Sequence, residues 1–151
     1  MLDKIDRKIL NLLQRDASRT NAQIADLVGL SPSTCLRRVR RLRQAGMIDR
    51  VVAILNPARA GRGLKAFVTV ELDRHGAQDQ RRFLDLACRE PAVAAAYAVT
   101  GQTDVVLTLR LRDMAEFDDL CERLFRDGGG VTRFFTMMVI RTARDETAID
   151  L

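Results

Sequence analysis

The chain has 151 residues, 47% of them apolar and 30% charged, with a net charge of +5. That is enough apolar material for one domain or two small ones, and too much for a disordered chain. The longest run of small apolar residues, "AVAAAYAV" at 92–99, is far below the ~20 residues that span a bilayer, and the opening "MLDKIDRKIL" lacks the hydrophobic stretch of a secretory signal.

The charge is unevenly placed. The first 50 residues hold 11 Lys and Arg against 5 Asp and Glu, a net +6, while the other 101 hold 14 against 15, a net −1. A basic module beside a near-neutral one is the electrostatic footprint of a polyanion binder. Cys35, Cys88 and Cys121 are far apart and form no CxxC pair, which disfavours a disulfide framework and a zinc site. No metal or cofactor is expected, and the compartment expected is the cytoplasm.

Helical signals fill the first third. Ile5, Ile9, Leu12 and Leu13 make an apolar stripe behind Asp3, a suitable N-cap. Thr20 and Gln23 have the spacing of a capping box and open a second helix that buries Ile24, Leu27 and Val28. Gly29 and Leu30 supply a glycine stop. Ser31 then caps a third helix with Pro32 in its first turn, ending at Gly46. Only Gly29, Leu30 and Ser31 separate the second helix from the third, which is the spacing of a helix-turn-helix.

After it, "RVVAILNP" predicts a short strand running into the linker "NPARAGRG". The expected division is a helix-turn-helix domain over 1–50, a strand and linker over 51–63, and a second domain over 64–151. In the second domain "KAFVTVEL" reads as a strand, 78–89 as a helix with Phe83, Leu84 and Ala87 inward, and "VAAAYAVT" as a strand. "DVVLTLRL" follows as a strand with Val105, Leu107, Leu109 and Leu111 on one face. Asp113 and Glu116 open a helix carrying Met114, Phe117, Leu120, Cys121, Leu124 and Phe125 at i, i+3, i+4 spacing. "DGGG" ends it, and "VTRFFTMMVI", apolar on both faces, closes as a strand. The order βαββαβ makes this half ferredoxin-like and the chain α+β, with one sheet face covered by helices and the other open to a second copy.

The third helix raises a question of charge. Arg37, Arg38, Arg40, Arg41 and Arg43 fall within seven positions. At ~100° per residue, Cys35, Leu36, Val39 and Leu42 share one face; Ser33, Thr34, Arg37 and Arg41 lie opposite, with Arg38 and Arg40 on the flanks. One face anchors the helix and the other is free to enter a major groove, where the planar guanidinium matches guanine edges and phosphate. Ser33 and Thr34 stand at the positive end of the helix, suited to phosphate or a base edge. With no compensating carboxylates apparent in the helix, the repulsion makes sense if phosphates are the neighbours. The DNA-binding residues expected are Ser33, Thr34, Arg37, Arg38, Arg40 and Arg41, acting on double-stranded DNA.

The segment "IDRKILNLLQRDASRTNAQIADLVGLSPSTCLRRVRRLRQAGMI" resembles the Lrp/AsnC (leucine-responsive and asparagine-operon regulator) family, and the similarity runs from Leu2 to about Thr142. The resemblance implies a winged-helix-like DNA-binding module joined to a βαββαβ ligand-sensing module. It also implies homodimers that assemble further, often into octamers or larger discs, and an amino acid or similar small effector. The family's G-x-x-D turn is matched by Gly101 and Asp104. Turn amides could receive a carboxylate and Asp104 an α-ammonium group, although G-x-x-D is also an ordinary strand-connecting turn. By alignment with the family, Tyr97, Thr100, Gln102, Thr103 and Thr136 should join Gly101 and Asp104 around the effector. Position 103 is often aromatic in relatives and is Thr here, which puts leucine in doubt as the effector.

Catalytic groups are scarce. His75 is the single histidine, in the polar segment "DRHGAQD", and no nucleophile–histidine pair, P-loop or GxGxxG is present. No enzyme and no catalytic residue is expected. Two alternatives stand beside the regulator: a tetrapyrrole (siroheme-type) decarboxylase on the same fold, and an architectural DNA-binding protein without a ligand.

Overall fold

The computed structural model describes residues 2–73, 76–126 and 130–151. His75 and most of the "DGGG" helix stop lie outside the described residues. The chain divides into two compact units, Met1–Ile54 with Ala143–Leu151, and Leu55–Thr142.

The first unit contains α1 (Lys4–Arg15), α2 (Asn21–Val28) and α3 (Pro32–Gln44). Each start has a capping side chain. The Asp6 amide donates to Asp3 Oδ1 at 2.7 Å and the Asp3 amide to Asp6 Oδ2 at 3.3 Å, a reciprocal box. Thr20 and Gln23 form the second box, and the Thr34 amide donates to Ser31 Oγ at the head of α3. Gly29 ends α2 at φ 72°, where the Leu30 amide reaches the Ala25 carbonyl at 2.9 Å. Ile9, Leu10, Ile24, Ala25, Cys35, Val39 and Leu42 are buried together, each large aliphatic worth roughly 1.5–3 kcal/mol on full burial. Leu27 departs from expectation and is more than half exposed.

One expectation about the elements is corrected. Residues 51–55 form no strand, because no neighbouring strand pairs with them in the single chain, and Val51, Val52, Ile54 and Leu55 are exposed. By their contacts, the last nine residues group with the first unit. The Gln14 side chain exchanges hydrogen bonds with the Ile149 backbone, Nε2 donating to its carbonyl at 2.6 Å and Oε1 accepting its amide at 2.9 Å. Leu151 packs on the helical core.

The second unit contains β1 (Leu64–Leu72), α4 (Ala77–Ala87), β2 (Val93–Ala98), β3 (Val105–Leu111), α5 (Met114–Leu120) and β4 (Val131–Met138). A π-helical segment, Cys121–Arg126, continues α5. The sheet order is β2-β3-β1-β4 with every pair antiparallel, the ferredoxin-like arrangement the sequence predicts. Alternation sets the core: Val105, Leu107, Leu109 and Leu111 are all buried, opposite Ala66, Val68 and Val70 of β1. Phe83, Leu120, Leu124 and Phe125 close over them, and the Phe125 and Phe134 rings stack at 4.4 Å. Met114 was expected inward but is exposed at the first turn of α5. The other sheet face carries Met137 in register with Phe67, Phe135 with Thr69, and Tyr97 with Val106. Phe135, Met137 and Tyr97 are each more than half exposed in the single chain. Among the described residues no helix is long and apolar enough to cross a membrane.

Candidate nucleic-acid interface and ligand turn

The helix-turn-helix core fixes α3 by one side. Cys35, Val39 and Leu42 are buried, and burial raises the Cys35 thiol pKa. Ser33, Arg37, Arg40, Arg41 and Arg43 remain exposed, with Thr34 and Arg38 intermediate. At the amino end the three hydroxyls share hydrogen bonds. Ser31 Oγ donates to Thr34 Oγ1 at 2.8 Å and lies 3.3 Å from Ser33 Oγ. Among the described residues Arg37, Arg40 and Arg43 make no ion pair.

The expectation of no compensating carboxylates is corrected. Arg38 Nη1 donates to Asp3 Oδ2 at 2.6 Å and to Asp6 Oδ1 at 2.8 Å, and Arg41 Nη2 donates to Asp6 Oδ2 at 2.5 Å. The carboxylates come from α1, out of sight of a helical wheel drawn on α3. Asp6 is 1% exposed, and its two guanidinium partners and the Asp3 amide make that burial tolerable. Hydrogen bonding to Arg38 holds Asp3 below the ordinary carboxylate range, and the same bond raises Arg38. The two aspartates were missed as functional candidates, though a signal was present. Asp6 occupies an apolar-stripe position of α1, flanked by Leu2, Ile9, Leu10 and Leu13 at i±4 and i+3 to i+7 spacing.

In the second unit, residues 99–104 link β2 to β3. Gly101 has φ 124°, a conformation that disfavours any side chain. The amides of Thr100, Gly101 and Gln102 donate to nothing among the described residues, and all three residues are exposed. Thr103 and Asp104 are turned the other way. Thr103 Oγ1 donates to the Val70 carbonyl at 2.8 Å, and the Asp104 amide reaches the same carbonyl at 2.9 Å. Asp104 Oδ2 accepts the Leu72 amide at 2.8 Å, and the Asp104 carbonyl accepts Gln80 Nε2 at 2.7 Å. Asp104 therefore ties the turn to the end of β1 and to α4.

The structure does not bring all seven expected effector residues together. Tyr97 lies on edge strand β2, on the open face. Thr136 lies on the opposite edge strand, β4, in register with the buried Val68 and so on the helix-covered face. Its Oγ1 is buried without a hydrogen-bond partner among the described residues. Thr136 therefore shares neither strand nor sheet face with Tyr97.

A helix-turn-helix unit with an exposed, largely arginine face, followed by a ferredoxin-like unit with an open sheet face, is the organisation of a DNA-binding regulator with a ligand module. Residues 2–49 match the winged helix-turn-helix DNA-binding family, and residues 65–149 match the Lrp/AsnC ligand-binding domain. The DNA-binding transcriptional activator DecR of Escherichia coli (strain K12) is 34% identical over 144 residues, covering 93% of this chain and 95% of that one. The leucine-responsive regulatory protein of Rhizobium meliloti (strain 1021) is 35% identical over 150 residues, covering 99% and 96%. A transcriptional regulator from Neisseria meningitidis, solved in complex with L-Met, superposes with a TM-score of 0.93 at 32% identity, covering 99% of this chain and 96% of that one. The chain belongs to the Lrp/AsnC family of transcriptional regulators.

Proposed function

We propose that the chain binds duplex DNA through the exposed arc of α3 and that a free amino acid, received at the 100–104 turn, modulates that binding. The observation that carries the first part is the helix itself. Its apolar side is locked in the core, while Arg37 and Arg40 are exposed and, among the described residues, without an internal ion pair. Arg37, Arg40 and Arg41, with Ser33 and Thr34, would enter the major groove. Two such helices from a homodimer would read two half-sites. The exposed Phe135, Met137 and Tyr97 favour a second copy on the open sheet face. Further assembly to an octamer or larger would follow the family pattern. Gel shifts with Arg37→Ala and Arg41→Ala test this reading: binding weakens in both variants, and wild-type binding on every duplex would retire it.

For the effector, the free amides of Thr100, Gly101 and Gln102 suit a carboxylate, and a similar protein was solved with L-Met. Tyr97 is near enough in sequence to wall the same site, and Thr136, on the other sheet face, would join from a second copy. Asp104 belongs to the same site as the residue that fixes the shape of the turn, through its bonds to Leu72 and Gln80. A thermal-shift screen of the twenty amino acids tests it, because a ligand of the folded state raises the melting temperature; no shift with any of them would favour an architectural role. We read the chain as a regulator without an enzymatic step, acting in the cytoplasm, in keeping with relatives that are named as regulators.

A further inference from the structure

Five arginines stand on α3, yet the protein does not present them alike. Among the described residues, Arg37, Arg40 and Arg43 are exposed without internal ion pairs. Arg38 is gripped by two carboxylates through one nitrogen, with its side chain only 23% exposed. Arg41 is held by one nitrogen at Asp6 while its side chain stays 57% exposed. Starting α1 does not require this. The N-cap bond is made by the half-exposed Asp3 and Asp6 completes the box with a longer 3.3 Å bond, yet Asp6 is also fully buried and sits against the arginines at 2.5 and 2.8 Å. A buried carboxylate disfavours the fold unless cations meet it, so its placement needs a reason beyond the cap.

Physical chemistry supplies one. Each cation that reaches a phosphate strengthens binding to every duplex equally, whatever its sequence. Base-edge contacts alone discriminate, and they need a guanidinium held in a defined orientation. A helix with five unrestrained arginines would therefore adhere to any DNA. Two carboxylates behind it reduce the charge offered and fix one fork.

We propose that Asp3 and Asp6 are selectivity-determining positioning residues: they hold Arg38 on the protein, withholding its charge from the phosphates, and they orient Arg41 toward the groove. The proposal rests on the DNA-binding reading above. It moves Arg38 out of the DNA-contacting set and leaves Arg41 free to use its remaining N–H groups.

The test uses the full chain with Asp3→Asn, Asp6→Asn, both together, and both together with Arg38→Ala. Binding to a labelled duplex of mixed sequence is followed by fluorescence anisotropy between about 50 and 200 mM salt. A selection from a randomised duplex pool gives the sequence preference. With both aspartates replaced, mixed-sequence binding tightens at low salt and the slope of log K against log salt steepens by about 0.9 for each α3 in contact. For each α3 in contact, that makes the gain over wild type fall roughly three- to fourfold across this range. The selected motif becomes less defined, and adding Arg38→Ala returns the slope to the wild-type value. Asp3→Asn alone shifts the slope in the same direction by less, and it keeps the fold because Asn caps a helix as well as Asp does. A purely structural role would instead weaken binding in every variant. Unchanged or flatter slopes in Asp3→Asn and in the paired variant overturn the proposal. If the wild-type chain binds no duplex, the DNA-binding reading itself falls.

Discussion

The carboxylate of Asp104 accepts the backbone amide of Leu72 at 2.8 Å, across the end of β1 where the pairing with β4 slips out of register. Leu72 is buried, so this amide has no water to turn to, and Asp104 closes the sheet at that point. Asp104→Ala should cost about 1–3 kcal/mol through the orphaned amide, read as a lower urea midpoint. Asp104→Asn, which keeps an acceptor, should lose less. Equal stability of wild type and Asp104→Ala would show that the bond is not made in solution.

Burial separates the three thiols. Cys35 and Cys121 are buried and desolvation raises both pKa values, whereas Cys88 is exposed. A thiol reagent at neutral pH should label one cysteine per folded chain, Cys88, and all three once the chain is unfolded. Rapid native labelling of Cys35 would contradict the packing of α3.

Acid should loosen the first unit. Asp3 is held below its ordinary 3.8 by hydrogen bonding to Arg38, and Asp16 by the Ser18 hydroxyl. In the second unit the Arg112 amide lowers Glu116 from 4.5. Because these folded pKa values are depressed, the unfolded chain takes up protons first. The stabilisation is present above the unfolded values and is lost as pH falls from about 4 through the folded ones. A plot of melting temperature against pH should be flat near neutrality and drop in that window, with a smaller drop for Asp3→Asn.

The last residues should stabilise the first unit. Gln14→Ala removes both bonds to the Ile149 backbone. At an exposed site the loss should sit near the lower end of about 0.5–1.5 kcal/mol per bond. Hydrogen exchange would report it as faster exchange at Ile149.

Much of this was legible because the signals are local. Asp3, Thr20 and Ser31 cap the three helices they precede, and the alternation in β3 sorts core from open face as written in the sequence. What could not be read depends on partners distant in sequence. A wheel on α3 separates its faces but cannot reveal that Arg38 meets Asp3 and Asp6, 35 and 32 positions earlier. Residues 51–55 have a strand's composition, yet a strand exists only with a neighbour to bond. Asp104 was ambiguous between a ligand group and a turn group, and its bond to Leu72 spans 32 residues. The place of Thr136, on the helix-covered face of β4, depends on its pairing with Val68, 68 positions earlier.

The central claim is that the outward arc of α3 meets a duplex, and the salt dependence of Arg37→Ala measures it most directly. Arg37 has no internal ion pair among the described residues, so its truncation should not disturb the fold. If Arg37 contacts phosphate, the variant binds all duplexes more weakly and its salt slope is shallower by about 0.9 per site. If Arg37 reads a base, the loss is about 1–3 kcal/mol and discrimination relaxes at one position. A folded Arg37→Ala chain with the wild-type affinity, slope and sequence preference would contradict the account.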